Sequence, residues 1–208
     1  MHKRIHFVSY GDQNGDHIAS IHKVLEAGVD LVQLRIKDCT DQHWYNQAGK
    51  VMELVLSFGA ELIINDRVAL SSKLGINAVH LGQTDMAIPQ AREILGSGST
   101  IGGTANNLDQ MIKLSQEGVD YIGLGPYRFT RTKNNLSPIL GHEGIAGKIQ
   151  GFQGRGYKTP IFIIGGIVES DFGLISELPI AGIAVSSLFA DKSVKEIEVI
   201  KRNFEKGI

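Results

Sequence analysis

The sequence has almost no cysteine, since Cys39 is the single one among 208 residues. One thiol cannot form an internal disulfide, so the chain suits a reducing compartment and we expect Cys39 to be an ordinary loop thiol. Long apolar runs are missing too, because nowhere do about 18 apolar residues follow one another. The opening stretch, MHKRIHFVSY, lacks the apolar segment of a signal peptide. These absences argue against membrane-spanning and secreted classes and predict a soluble, cytoplasmic protein.

Neither sign of charge is in large excess. The formal net charge is -1 and the isoelectric point lies near 6.7, so no global basic field exists to attract nucleic acid or an anionic membrane surface. Any attraction for anions must therefore be local. The length allows one sizeable core and no linker composition interrupts it, so we expect a single domain over 1–208. Whether the chain forms a homo-oligomer stays open.

What the sequence does contain is a regular alternation of strand-like and helix-like segments. Short β-rich apolar runs are separated by stretches with apolar residues at three- and four-residue spacing, such as Trp44, Ala48 and Val51. Eight such alternations in a chain of this size favour a single closed (β/α)₈ TIM barrel over an open doubly wound sheet. The predicted strands are 5–9, 31–36, 61–65, 77–81, 100–104, 120–125, 160–164 and 181–186.

In such a barrel, active-site residues lie at the carboxyl ends of the strands. At the end of the second strand, Gln33, Arg35 and Lys37 alternate with apolar residues and so share one face. Both faces of a parallel barrel strand are covered, so these polar groups need partners. An anionic ligand is the simplest partner for Arg35 and Lys37.

Two carboxylates follow consecutive strands. Asp66 comes after the third strand and Asp85 after the fourth, so a closed sheet brings them near each other. Two carboxylates that leave coordination positions for water and phosphate oxygens are typical of a Mg²⁺ site. The alternative roles are a helix N-cap for Asp66 and a turn former for Asp85. Their combination with Arg35 and Lys37 favours the metal and diphosphate interpretation.

A second anion site is predicted from the last two strands. Gly165 and Gly166 follow an apolar run and precede a helix-like segment, as in a loop whose backbone N–H groups face a phosphate. Val185 and Ser186 lie at the end of the eighth predicted strand, and phosphate sites in these barrels often use the loops after strands seven and eight.

The loop after the sixth strand links the two predicted sites. Thr130, Thr132 and Lys133 can supply hydroxyl and ammonium donors over the barrel mouth, whereas Arg128 and Arg131 also suit a solvated surface loop. The seven histidines have no metal-ligand spacing, and neither a nucleophile elbow nor a dinucleotide fingerprint occurs. We expect His80 to be a buried, hydrogen-bonded core residue.

Taken together, the motifs resemble those of the thiamine phosphate synthase family. They span nearly the whole chain in the family's order, and it is the ordered set, more than any one of its members, that makes the match specific. They are QLRIK at 33–37, IINDR at 63–67, HLGQTD at 80–85, GLGPYRFTRTK at 123–133, IIGGI at 163–167 and AVSS at 184–187.

The resemblance implies a TIM-barrel transferase that joins hydroxymethylpyrimidine diphosphate to hydroxyethylthiazole phosphate, or its carboxylated form, and releases pyrophosphate. It implies catalytic roles for Arg35, Lys37 and Lys133, and Mg²⁺ binding by Asp66 and Asp85. Residues implied to bind the pyrimidine diphosphate are Gln33, Leu34, Arg35, Ile36, Lys37, Asn65, Thr104 and Lys133. Residues implied to bind the thiazole phosphate are Thr130, Arg131, Thr132, Gly165, Gly166, Val185 and Ser186.

The chain departs from the family pattern at the end of the fifth strand. A Gly-x-Ser-x-His pattern is common there, whereas this chain has Gly102, Thr104 and Asn106. Two alternatives stay open. A related thiazole tautomerase would lack the metal carboxylates and use a histidine where Asn106 stands, and a silent thiazole-phosphate-binding barrel would not need Asp66, Asp85 or Lys133.

Overall fold

The polypeptide forms a closed, all-parallel barrel. The computed structural model describes residues 4–37, 39–129 and 138–208, and within them eight strands pair in sequence order, with β8 closing onto β1. This confirms the TIM barrel predicted from the alternation. The strands are β1 Arg4–Val8, β2 Leu31–Leu34, β3 Glu61–Asn65, β4 Ala78–Leu81, β5 Thr100–Ala105, β6 Tyr121–Leu124, β7 Ile161–Ile164 and β8 Gly182–Val185.

Helices follow the strands and cover the outside of the barrel. They are α1 Ile18–Glu26, α2 Asp41–Ser57, α3 Val68–Lys73, α4 Ile88–Leu95, α5 Leu108–Gln116, α6 Gly141–Gln153, α7 Phe172–Ser176 and α8 Val194–Lys206. Short 3₁₀ turns, Glu169–Asp171 and Ser187–Phe189, follow the ends of β7 and β8. None of the helices described is long and apolar enough to cross a membrane.

Local sequence explains where these elements begin and what they bury. The Thr40 hydroxyl caps α2 by accepting the backbone N–H of His43 at 3.2 Å. One stripe of α2 is then buried against the barrel, with Trp44 and Val51 fully covered. Trp44, one of the apolar residues at helical spacing in the sequence, therefore packs in the hydrophobic core.

Strand register determines which residues face the barrel interior. Asn65 pairs with His80, His80 with Gly102, and Gly102 with Tyr121. The side chains of Asn65, His80 and Tyr121 therefore share one face of the sheet. The Tyr121 ring packs edge-on against Phe162 inside the barrel, with ring centroids 5.6 Å apart. Polar and apolar groups are mixed in the interior, because the rings of Tyr121 and Phe162 also pack edge-on against the buried His6.

Candidate active site

The β1 and β2 ends form one side of the barrel mouth. Gln33 is buried, and its amide nitrogen lies 3.3 Å from Nε2 of His6 inside the barrel. Burial, followed by Coulombic interactions with His80 and Arg4, lowers the pKa of His6 to about 3, so the ring is neutral at pH 7. Gln33 therefore has the inward orientation expected from strand alternation, with a neutral histidine below it.

Arg35 is held above Gln33 through its backbone. Its N–H donates to the Ser9 hydroxyl at 3.0 Å, and the same hydroxyl lies 2.7 Å from Nδ1 of His17. Burial lowers the pKa of the Arg35 guanidinium and the nearby Asp85 carboxylate acts against that effect. Among the described residues, nonetheless, Arg35 has no ion-pair partner, and a half-buried guanidinium without one is suited to an anionic ligand. Lys37 lies exposed at the rim.

Ser9 was missed by the sequence reasoning. It directly follows β1, so the rule that collects polar residues at the carboxyl ends of strands would have found it.

Asp66 and Asp85 lie close enough to influence each other. Burial, and then the negative charge of Asp85, raise the pKa of Asp66 above its usual value. The helix N-cap role is wrong for Asp66, because Arg67 occupies that position of α3. The turn role of Asp85 is confirmed, since one of its carboxylate oxygens accepts the Gly82 N–H at 2.6 Å.

The donor set at this edge fits Mg²⁺. Two carboxylates supply hard oxygen ligands and leave the remaining positions of an octahedral ion to water and phosphate. Within the described residues no cluster of three or more histidine, cysteine or acidic side chains could hold a metal by itself. A magnesium ion held by these two carboxylates would take its remaining ligands from water and from a bound diphosphate.

A hydrogen-bonded row crosses the interior from β4 to β6. His80 is buried, and its Nδ1 lies 3.0 Å from the Tyr121 hydroxyl while its Nε2 lies 2.9 Å from the Thr104 hydroxyl. This confirms the expectation that His80 is a buried, hydrogen-bonded residue. Thr104 is only partly buried, and its carbonyl oxygen accepts from the Gln83 amide.

Asn106, which stands where the family often has histidine, has a structural contact in this chain. Its side-chain amide donates to the Gly125 carbonyl, and its backbone N–H donates to Gln110 at 2.7 Å. The residue thereby joins the end of β5 to the end of β6.

The β6 and β7 ends are fastened to each other by backbone contacts. The Tyr127 N–H donates to Ile164 O at 2.9 Å, and the Arg128 N–H donates to Gly165 O at 2.8 Å. Gly165 and Gly166 have φ angles of 102° and 67°. A side chain on Gly166 would lie 2.6 Å from Phe129 O, so both its backbone conformation and its neighbour require glycine.

Arg128 is exposed, as expected for a residue of a surface loop, and it also forms an ion pair. Its guanidinium forms a two-point ion pair with Asp171, including Nε to Oδ2 at 3.1 Å, and the Asp171 side chain is only 3% exposed. The same carboxylate accepts the Val168 N–H at 3.0 Å. Asp171 thus ties the segment after β6 to the turn after β7. Nothing local in the sequence indicates this pair, because its partners are 43 positions apart.

The remaining predicted residues fall into three groups. Ser186 is partly buried and follows β8 at the mouth, and Asn65 is partly buried at the end of β3. The side chains of Leu34, Ile36 and Val185 are buried in the hydrophobic core, which leaves only their backbone groups for a ligand. Four predictions lie outside the described residues: Thr130, Arg131, Thr132 and Lys133.

Comparisons with known proteins identify relatives over most of the chain. The thiamine monophosphate synthase family matches the chain over residues 5–189. A thiamine-phosphate synthase of Flavobacterium johnsoniae is 37% identical over 203 residues, which covers 98% of this chain and 96% of the relative. The thiamine-phosphate synthase of Flavobacterium psychrophilum is 40% identical over 188 residues, covering 90% of this chain and 91% of the relative.

A solved structure has the same fold. The thiamine phosphate pyrophosphorylase from Pyrococcus furiosus superposes with a TM-score of 0.83 at 24% identity, covering 99% of this chain and 96% of that one. The family match and the relatives at this identity confirm the resemblance read from the motifs, and the chain belongs to the thiamine monophosphate synthase family.

Proposed function

We propose that this chain is a thiamine phosphate synthase, a transferase that joins hydroxymethylpyrimidine diphosphate to hydroxyethylthiazole phosphate and releases pyrophosphate. Family membership supports the reaction class. The observation that carries the proposal at the site is the half-buried Arg35 beside two mutually repelling carboxylates at one barrel mouth. That combination suits a diphosphate bound together with a divalent cation.

In the proposed site, the two substrates occupy opposite sides of the mouth. Gln33, Asn65 and Thr104 hold the pyrimidine diphosphate, and Arg35 and Lys37 neutralise its charge, with Lys133 from outside the described residues. The Gly165–Gly166 turn and Ser186 hold the thiazole phosphate, together with Thr130, Arg131 and Thr132. Backbone groups of Leu34, Ile36 and Val185 complete the two subsites.

The reaction needs no protein nucleophile. Pyrophosphate leaves the pyrimidine methylene, the pyrimidine ring stabilises the resulting cation, and the thiazole nitrogen then captures it. Arg35, Lys37 and Lys133 stabilise the charge that develops on the leaving group, and the barrel holds the two rings in line. Asp66 and Asp85 would hold Mg²⁺, which supplies electrostatic stabilisation of the pyrophosphate.

The proposal extends to the whole molecule. Residues 1–208 form one catalytic domain, small molecules are its substrates, and the enzyme works in the cytoplasm.

Omitting each substrate in turn tests the function. Purified protein with Mg²⁺ should form thiamine phosphate only when both the pyrimidine diphosphate and the thiazole phosphate are present, as followed by chromatography. Isomerisation of a thiazole phosphate without any use of the diphosphate would favour the tautomerase. Binding of thiazole phosphate without turnover would favour the silent barrel.

A further inference from the structure

Two glycines leave space inside the barrel for the hydrogen-bonded row of Tyr121, His80 and Thr104. A side chain at Gly102 would lie 2.0 Å from Cζ of the Tyr121 ring, and one at Gly123 would lie 3.1 Å from Cε1 of His80. The His80 and Tyr121 rings stack with centroids 5.4 Å apart and an interplanar angle of 27°. The sequence therefore leaves space for this pair where barrel interiors normally hold branched apolar residues.

The hydrogen bonds of this row determine which group donates and which accepts at each contact. Burial raises the pKa of Tyr121 above its usual value, so the phenol keeps its proton and can donate it. His80 Nδ1 is the one hydrogen-bond partner of the phenol in the described part of the chain. When Nδ1 accepts that proton, the neutral ring carries its own proton on Nε2 and donates it to the Thr104 hydroxyl.

The consequence reaches the mouth of the barrel. A Thr104 oxygen that accepts from His80 has its own proton left to donate, and the residue is only partly buried. In the opposite tautomer, Thr104 would donate to His80 and would present a lone pair to a phosphate oxygen. The tautomer of His80 therefore decides whether Thr104 attracts or repels an anion.

We propose that Tyr121 and His80 are positioning residues that fix the Thr104 hydroxyl as a donor to the diphosphate of the pyrimidine substrate. This inference rests on the proposed function, in which Thr104 contacts that diphosphate. Neither Tyr121 nor His80 touches the substrate in this role, because both act through Thr104.

A double-mutant cycle separates positioning from packing. Tyr121→Phe keeps the ring and removes the donor, so His80 can change tautomer, and kcat/KM for the pyrimidine diphosphate should fall about tenfold. The KM for thiazole phosphate should stay within about twofold, and Thr104→Val should also lower kcat/KM. Adding Tyr121→Phe to Thr104→Val should then change kcat/KM by less than about twofold.

The outcomes of the cycle are distinct. A wild-type rate in Thr104→Val would remove Thr104 from the proposed site and the positioning inference with it. If Thr104→Val is slow but Tyr121→Phe has the wild-type rate, only the positioning inference is overturned. The same holds if the effect of Tyr121→Phe adds in full to that of Thr104→Val. The matched control is Tyr157→Phe, which removes a phenol that accepts from Gln116 at 2.9 Å on the outside of the barrel; its kcat/KM should be that of the wild type.

One measurement on the wild-type protein does not depend on how the variants fold. Nitrogen-15 NMR of histidine-labelled protein reports which ring nitrogen of His80 is protonated, with the signals assigned by their loss in His80→Gln. A proton on Nε2 supports the inference, and a proton on Nδ1 overturns it.

Discussion

At the scale of single residues, the end of β3 has an unusual backbone. Asp66 and Arg67 have φ angles of 58° and 44°, in the left-handed region that residues other than glycine adopt rarely. Such a conformation costs about 1–3 kcal/mol and persists where the surroundings enforce it. Here it places the Asp66 carboxylate next to Asp85, which is consistent with the proposed metal site.

Asp66→Asn tests the carboxylate without changing the backbone preference, because asparagine also tolerates the left-handed region. We expect kcat/KM to fall by about two orders of magnitude at fixed Mg²⁺, since a metal ion supplies several kcal/mol of charge stabilisation. Steady-state rates over a Mg²⁺ titration check this, and higher Mg²⁺ should restore part of the loss. Asp109→Asn, an exposed position on α5, is the control, and equal rates in both variants would contradict the metal role.

Gly166→Ala tests the predicted thiazole phosphate turn. The added methyl group would meet Phe129 O at 2.6 Å at a φ angle of 67°, so we expect the KM for thiazole phosphate to rise at least tenfold, with a loss of about 1–2 kcal/mol in unfolding free energy. Gly147→Ala in α6 is the matched control. Apart from its chain neighbours and the nearby backbone of α6 itself, no described atom lies within 4 Å of the added carbon there, and stability should rise by up to about 1 kcal/mol. An unchanged KM in Gly166→Ala would remove the turn from the site.

At the scale of elements, the segment after β6 depends on the turn after β7. Backbone hydrogen bonds join Tyr127 and Arg128 to the end of β7, and the Arg128–Asp171 ion pair adds a side-chain connection. Burial acts to raise the pKa of Asp171. The hydrogen bonds from Arg128 and from the Val168 N–H act in the opposite direction and outweigh burial, so the net pKa is below its usual value.

Asp171→Asn should reduce the unfolding free energy at pH 7 by about 1 kcal/mol, a small figure because Arg128 is half exposed. A carboxyl with a depressed folded pKa stabilises above its unfolded pKa, near 3.9, and loses that contribution as the pH falls through the folded value. The difference between wild type and variant should therefore shrink below about pH 4. Urea denaturation at several pH values measures it.

Glu117→Gln is the control for that experiment. It breaks the ion pair between the exposed Lys113 on α5 and the partly exposed Glu117 at the C-cap of α5, where the nitrogen and oxygen lie 3.7 Å apart, and should cost less than about 0.5 kcal/mol. An Asp171→Asn effect that is equally small would mean that the connection between the two loops contributes little to the fold.

Sequence patterns located the elements well because their signals are local. Each predicted strand coincides with an observed one and its ends shift by at most two residues, as at β2, predicted over 31–36 and observed as Leu31–Leu34. Pairings such as Arg128–Asp171 and His80–Tyr121 could not be predicted, since their partners are 43 and 41 positions apart. Their contact depends on barrel closure and register.

At the scale of the whole molecule, closing the barrel buries polar groups that an open sheet would leave in water. His6 is 1% exposed in the interior, and the burial that lowers its pKa to about 3 is a property of the closed fold. Catalytic residues of such barrels lie at the carboxyl ends of the strands. This rule correctly predicted that polar side chains cluster at the barrel mouth. It says nothing about the polar interior beneath the mouth.

The buried His6 predicts a pH dependence of global stability. The folded state keeps the ring neutral, whereas the unfolded chain takes up a proton below about pH 6.5, so stability should fall as the pH is lowered from about 6.5 toward 3. Compared with His6→Gln, the wild type should lose up to about 1.4 kcal/mol more per pH unit in that range. Between pH 7 and 8 the two proteins should show equal slopes in urea denaturation, and equal slopes at pH 5 as well would contradict the burial of a neutral ring.

The most direct test of the proposed synthase reaction measures pyrophosphate release and thiamine phosphate formation together in one experiment. The account predicts that the wild-type protein, given both substrates and Mg²⁺, forms the two products in equal amounts. Chelation of the metal should stop both, and restored Mg²⁺ should restart both. Pyrophosphate release without thiamine phosphate, or formation of neither product by folded protein with intact substrates, would contradict it.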